Sequence, residues 1–270
     1  MTAGPPHHDD LRLILEAARE AGDLARAIRR QGLEIEYKDT DGTPVTNADL
    51  AADKLLTQRL RAARPGYGWL SEETADAHDR LHCRRIFVVD PIDGTRAFLK
   101  GRPWWSVAIA VVEDGLPVAG AVYAPEVDEA YAAVAGQGAT RNGQPLRASD
   151  ATRLEDCRMV GDPVVFDHWS WPRPWPPMRV EQRNSTAYRM CLVAAGEFDA
   201  AVAPVRKCDW DVAAGDLIAR EAGCFVGDHT GEGFRYNRAR PSQASLICAT
   251  PALAPLILER VGHKIGRAHV

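Results

Sequence analysis

Asp90 and Asp93 stand three positions apart in Phe87-Val88-Val89-Asp90-Pro91-Ile92-Asp93-Gly94-Thr95, among residues suited to metal and phosphate chemistry. The apolar run from Ile86 to Val89 is too short for a helix and rich in β-branched residues, so it predicts a buried strand. Pro91 cannot donate to a ladder, which predicts that the chain leaves the sheet at Asp90. Two acids at the end of a buried strand suit a hard divalent cation such as Mg²⁺, which prefers oxygen ligands. Gly94 and Thr95 follow with backbone N–H groups where a turn or helix can begin, a natural cradle for phosphate. The competing reading is an Asp-Pro/Asp-Gly turn with two surface acids.

Three more acids have comparable settings, each with a plainer alternative. Asp49 closes Thr46-Asn47-Ala48-Asp49, a T-x-x-D capping box at a helix start. Glu72 follows the short strand Tyr67-Gly68-Trp69-Leu70, where it is either an inward carboxylate or part of a solvated Glu72-Glu73 pair. Asp211 follows Asp209-Trp210 at another helix start, where an acid also serves as a cap.

The elements that must position these residues follow from periodicity. Leu11, Ile14, Ala18, Ala21, Leu24, Ala25 and Ile28 recur at helical spacing from Asp9 to near Gly32, after small, Pro and His residues expected to lack structure. A second helix runs from the Pro44–Asp49 segment to about Ala63. Val107–Val112, a Glu113-Asp114-Gly115 turn, Leu116–Tyr123 and Ala130–Ala135 read as an antiparallel meander. Beyond Ser149, strands and helices alternate: Cys157–Val160, a Ser185–Ala195 helix, Phe198–Val202, a Val212–Ala222 helix, Cys224–Val226, Ser245–Ala249 and a Pro251–Val261 helix. The division expected is residues 9–148 and 149–263. The run Trp169-Ser170-Trp171-Pro172-Arg173-Pro174-Trp175-Pro176-Pro177 reads as an extended surface loop, with a polyproline ligand or a base-stacking lid as alternatives. Residues 265–270, Ile-Gly-Arg-Ala-His-Val, lack periodicity and match the translation of a common sequencing-adapter start. We set them aside as read-through; the same codons recovered with another library chemistry would overturn this.

Composition narrows the function classes. A chain of 270 residues with 46% apolar and 26% charged residues can bury a substantial core. A net charge of −4 argues against a nucleic-acid scaffold. Six scattered cysteines without a C-x-x-C pair indicate reduced, cytosolic usage rather than a zinc site. No apolar run approaches a membrane span and the first residues lack a signal pattern, so a cytoplasmic protein is expected.

Taken together, Pro44-Val45-Thr46-Asn47-Ala48-Asp49, Leu70-Ser71-Glu72-Glu73, Asp90-Pro91-Ile92-Asp93-Gly94-Thr95 and Trp210-Asp211-Val212-Ala213-Ala214-Gly215 resemble the inositol monophosphatase superfamily of metal-dependent, lithium-sensitive phosphatases. The resemblance runs from the first helix to about Ala249. It implies a mixed α/β fold, an αβαβα layered sandwich with a mostly antiparallel first sheet and a mixed second sheet. It implies that Glu72, Asp90 and the Ile92 carbonyl hold one Mg²⁺, and that Asp90, Asp93 and Asp211 hold a second. A third, weaker ion near Glu72 would help deliver water. Asp49 and Thr95 would activate that water, while the Gly94 and Thr95 amides bind the phosphoryl group. Ser185, Arg206 and Lys207 would contact the rest of a small phosphate ester. Dimers are common in the family.

Departures from the family pattern bear on the substrate. Inositol-phosphate enzymes carry a glutamate after the helix that ends near Gly196; here the region reads Ala201-Val202-Ala203-Pro204. Asn184 replaces the usual glycine at that helix start. Trp69-Leu70-Ser71-Glu72-Glu73 and Ala187-Tyr188-Arg189 are more similar to the bacterial 3′(2′),5′-bisphosphate nucleotidases of sulfur assimilation. The expectation is therefore hydrolysis of the 3′-phosphate of 3′-phosphoadenosine 5′-phosphate, with inositol 1-phosphate as the alternative. A haloacid-dehalogenase reading fails because its two aspartates stand two apart, not three. A phosphate-binding module without activity would not require so complete a set of acids.

Overall fold

The computed structural model describes residues 6–38, 42–167, 171 and 173–265. Its first half contains α1 (Pro6–Gln31), β1 (Ile35–Tyr37), β2 (Pro44–Thr46), α2 (Asn47–Ala63), β3 (Gly68–Ser71), β4 (Arg85–Asp93), α3 (Thr95–Leu99), β5 (Ser106–Glu113), β6 (Leu116–Ala124), β7 (Glu129–Val134), β8 (Ala139–Arg141) and β9 (Gln144–Pro145). The second half contains β10 (Arg158–Val160), α4 (Pro163–Asp167), β11 (Arg179–Glu181), α5 (Thr186–Ala194), β12 (Ala200–Ala203), β13 (Lys207–Cys208), α6 (Asp209–Glu221), β14 (Phe225–Gly227), β15 (Ser242–Gln243), β16 (Leu246–Ala249) and α7 (Ala254–Ile265). Helix α1 starts about one turn before the expected Asp9, and α7 extends to Ile265. Residues 1–5 and 266–270 lie outside the described residues, as do Trp169, Ser170 and Pro172.

Strands β3 to β9 form a seven-stranded sheet in sequence order. Only β3 and β4 pair in parallel; the other neighbours are antiparallel. The β5–β6 turn places Asp114 at φ 50° and Gly115 at φ 80°, left-handed values that tight hairpins require. A five-stranded sheet has the order β11-β10-β12-β16-β14, with β10 parallel to both neighbours and β16 antiparallel to both of its own.

Alternation of side chains assigns the layers. From β4 and β5, Phe87, Val89, Val107, Ile109 and Val111 pack with Ile14, Ala18, Ala52 and Leu56 of α1 and α2. Their neighbours Ile86, Val88, Ala108, Ala110 and Val112 face the other way, into a core with α5 and α6. That core also takes Val160, Ala201, Ala203, Leu246 and Cys248 from one face of the second sheet. The opposite face, with Met159, Ala200, Val202, Ile247 and Ala249, packs on Leu253, Ile257 and Val261. Helices, sheet, helices, sheet and helix thus stack as the expected αβαβα sandwich.

Two expectations are corrected. First, β4 does not leave the sheet at Asp90. The ladder to β5 is interrupted between Asp90↔Ala108 and Asp93↔Ser106 and then resumes, so Pro91 and Ile92 form a bulge opposite Val107. Second, the Trp- and Pro-rich run is irregular and exposed at Arg173, Pro174 and Pro177, as a surface loop should be, but the base-stacking alternative fails because its described tryptophans turn inward. Trp171 is 7% exposed, its ring centroid lies 5.5 Å from Trp175, and Trp175 meets Phe166 edge-on at 5.2 Å. Apolar area decides the outcome: these rings extend the outer core instead of stacking over the cavity. None of the six cysteines is in a disulfide. Among the described residues, no helix is long and apolar enough to cross a membrane.

Candidate active site

The bulge decides where the acids point. On a regular strand Asp90 and Asp93, an odd number of residues apart, would face opposite sides of the sheet. With one extra residue in the strand they face the same side, and α6 brings Asp211 to meet them. One ligand oxygen from each of Asp90, Asp93 and Asp211 lies within 4.8 Å of the others. Oxygen donors in such a cluster can hold a hard cation.

The three carboxylates differ in what already holds them. Asp90 is 1% exposed; its Oδ1 accepts from the Ile92 amide at 3.1 Å, while its buried Oδ2 has no hydrogen-bond partner. Burial, together with the charges of Glu72, Asp93 and Asp211, raises the Asp90 pKa well above the usual carboxylate range. A buried carboxylate oxygen without a donor fits a cation, so the donor set and the orphaned Oδ2 both suit Mg²⁺. Asp93 accepts from Ser185 Oγ at 2.5 Å and the amides of Ala187 at 2.6 Å and Thr186 at 3.1 Å. Burial raises its pKa in spite of those donors. Asp211 caps α6 by accepting from the Cys208 amide at 3.0 Å. Burial pushes its pKa up to about 7, with Lys207 opposing and Asp93 and Glu72 reinforcing the shift.

Glu72 extends from the end of β3, which is anchored to α2 where Ser71 Oγ donates to Asp53 Oδ1 at 2.5 Å. Lys38 Nζ lies 3.0 Å from both Glu72 Oε1 and Glu73 Oε1. Burial alone would lower the Lys38 pKa, but the charges and hydrogen bonds of those two glutamates raise it. Burial and the Glu72 charge push Glu73 up to about 7 against the pull of Lys38. Asp53, one turn beyond Asp49 on α2, was not singled out from the sequence; its i,i+4 spacing from Asp49 is the available signal.

Asp49 divides its two oxygens. Oδ2 completes the capping box, accepting from Thr46 N at 2.8 Å and Thr46 Oγ1 at 2.6 Å. Oδ1 faces Thr95 Oγ1 at 3.5 Å, a loose contact, while that hydroxyl donates to the Ile92 carbonyl at 3.1 Å. Burial pushes the Asp49 pKa up to about 6, opposed by the Thr46 bonds. Gly94 has φ 95°, and a Cβ there would lie 3.1 Å from both Ser185 N and Trp104 O. Only glycine fits. Its turn presents the first amides of α3, which have no intrahelical acceptor, toward the cavity.

A cavity of about 560 Å³ opens over these groups. Glu72, Asp90, Asp93 and Asp211 lie on its acidic side, with Gly94 and Thr95 beside them. Val165, Val202, Ala203 and Val205 supply apolar wall, and Arg96, Arg189 and Lys207 supply cations. Lys207 reaches the wall and donates to Thr186 Oγ1 at 3.0 Å. Two expected substrate contacts do not reach it. Ser185 is 0% exposed and holds Asp93 and the α5 cap; Arg206 turns outward to Ser242 Oγ at 3.0 Å. Consecutive residues in an extended segment alternate, so Lys207 facing the cavity sends Arg206 away. Arg189 and Asp162 line the cavity without having been expected there.

The comparisons with known proteins agree with this geometry. The inositol monophosphatase family profile matches residues 8–265. A histidinol-phosphatase of Mycobacterium tuberculosis is 36% identical over 80% of this chain and 86% of its own length. An inositol-1-monophosphatase of Mesorhizobium japonicum is 35% identical, with coverage of 82% and 86%. A 3′(2′),5′-bisphosphate nucleotidase of Salmonella typhimurium is 32% identical, with coverage of 84% and 93%. The solved structure of a Thermotoga maritima IMPase superposes with a TM-score of 0.81 at 28% identity, covering 96% of this chain and 98% of that one. Sequence motifs, layer order and these relatives lead to one assignment: the chain is a member of the inositol monophosphatase family of phosphatases.

Proposed function

We propose that this chain is a Mg²⁺-dependent phosphomonoesterase that removes the 3′-phosphate of 3′-phosphoadenosine 5′-phosphate by direct attack of water. The observation that carries the reading is the convergence of Asp90, Asp93 and Asp211 on the acidic side of a cavity that also offers the apolar residues Val202, Ala203 and Val205 and the cations Arg96, Arg189 and Lys207. Asp90, Asp93, Asp211, Glu72 and the Ile92 carbonyl would hold the metal. When bound, Mg²⁺ supplies cancellation of phosphate charge and a lower pKa for the attacking water.

The chain's own groups supply orientation. Thr95 Oγ1, whose hydrogen goes to the Ile92 carbonyl, would accept from the attacking water, and Asp49 Oδ1 across from it is placed to take that water's proton. The Gly94 and Thr95 amides point partial positive charge at the phosphoryl oxygens. Val202, Ala203 and Val205 give an adenine face apolar contact, whereas an inositol hydroxyl laid against those side chains would cost about 1–3 kcal/mol if left unpaired.

A second reading is histidinol phosphate. Asp162 favours it: its cavity-lining carboxylate offers a counter-charge to a substrate ammonium. The test is one panel of kcat/KM values with Mg²⁺ for 3′-phosphoadenosine 5′-phosphate, adenosine 3′-monophosphate, inositol 1-phosphate and histidinol phosphate. The bisphosphate is expected to lead; a lead by either of the last two overturns the proposed substrate.

A further inference from the structure

Arg189 is a half-buried cation at the cavity without a carboxylate of its own. It follows Thr186 by three positions on α5, so the two side chains share a face, and both line the cavity. Its Nε donates to the Arg183 carbonyl at 2.6 Å, and its Nη2 donates to the same oxygen. That acceptor is neutral. Among the described residues, no carboxylate comes within ion-pair distance of Arg189; Asp93 and Asp162 act on it only at longer range. Burial lowers its pKa despite those two acids, yet a guanidinium keeps its proton in a protein. A half-buried guanidinium whose hydrogen-bond partner is one neutral carbonyl keeps donors free for an anion in the cavity.

Resting on the phosphatase reading above, we propose that Arg189 receives a second anionic group of the substrate, selecting phosphomonoesters that carry another phosphate, as nucleoside 3′,5′-bisphosphates do. The Arg183 carbonyl pins one edge of the guanidinium and leaves the remaining donors for two phosphate oxygens. The other cavity cations serve less well. Lys207 already donates to Thr186 Oγ1 and lies among the charges of the acidic cluster. Arg96 is exposed, so water and salt screen it. Arg189, held on one edge by the Arg183 carbonyl and less exposed than Arg96, therefore discriminates most strongly.

The test compares wild type, Arg189→Met and Arg189→Lys on 3′-phosphoadenosine 5′-phosphate and adenosine 3′-monophosphate. Arg189→Met is expected to raise KM for the bisphosphate roughly thirtyfold, with kcat moving far less, and to shrink the bisphosphate-to-monophosphate ratio of kcat/KM by a similar factor. Arg189→Lys should recover part of that ratio. An equal loss on both substrates would instead assign Arg189 to the transferred phosphoryl group or to folding, and would overturn the proposal. Calorimetric binding of adenosine 5′-monophosphate and adenosine gives a readout that needs neither hydrolysis nor a stable variant. Wild type should bind the nucleotide at least about tenfold more tightly than the nucleoside. Equal binding refutes the proposal. A wild-type preference that Arg189→Lys weakens supports it, and stands even if no phosphate ester is hydrolysed, an outcome that would reject the phosphatase reading alone.

Discussion

Ser185 Oγ donates to Asp93 Oδ2 at 2.5 Å while accepting from the Tyr188 amide at 3.0 Å, so one hydroxyl joins the end of β4 to the start of α5. Ser185→Ala removes both bonds and leaves a buried carboxylate short of a donor. Thermal or urea unfolding should show a loss of about 1–3 kcal/mol, and the Mg²⁺ concentration needed for half-maximal activity should rise. An unchanged Mg²⁺ requirement would separate the helix cap from the acidic cluster.

Asp90→Asn should abolish Mg²⁺-dependent hydrolysis, by roughly a thousandfold, equivalent to about 4 kcal/mol of barrier. The metal-free variant should melt no lower than wild type, because the substitution relieves a buried charge crowded by Glu72, Asp93 and Asp211. Chelation should remove wild-type activity, and added Mg²⁺ should restore it. Turnover near wild type in Asp90→Asn would withdraw Asp90 from the metal.

The two oxygens of Asp49 make its roles separable. Asp49→Asn should cost about 1 kcal/mol or less through the weakened cap at Thr46. It should also lower kcat at least about a hundredfold if Oδ1 takes the proton. Thr95→Ala should lower kcat with little change in KM. A less stable but fully active Asp49→Asn would leave the cap as its only role.

Away from the cavity, Asp199 offers a pH test. Burial would raise its pKa, but the Arg158 guanidinium and amide and the Ser149 hydroxyl outweigh that and lower it. A depressed folded-state pKa contributes stability present above the unfolded value, about 3.9, and lost as pH falls through the folded value. Asp199→Asn should therefore lose about 1.5–3 kcal/mol at pH 7, and its deficit relative to wild type should narrow below about pH 4. Urea melts across that range measure it; a deficit constant with pH would remove the ionic contribution.

What the sequence revealed was local. The Thr46–Asp49 capping box and the β5–β6 hairpin each depend on residues a few positions apart, and both are present as expected. The layer order was legible through the family resemblance and through alternation in β5. Hidden features depended on distant partners. The inward turn of Ser185 depends on Asp93, and Arg189 depends on a carbonyl six residues earlier and on the cavity. Trp171 and Trp175 were ambiguous because a Pro-rich spacing fits an extended loop as well as an apolar packing surface. Strand β11, three residues at a sheet edge, is too short to carry a pattern.

The bulge at Pro91 has a consequence for spacing. Deleting Pro91 would set the two aspartates two apart and still leave both on one face of a regular strand. It would also draw the Ile92 amide and carbonyl back toward pairing with β5. As the strand stands, the Ile92 amide turns to Asp90 Oδ1 and its carbonyl to Thr95 Oγ1. The third residue of spacing thus releases a main-chain oxygen beside the carboxylates, and the distance between the aspartates along the chain sets the kind of donor available as well as its direction.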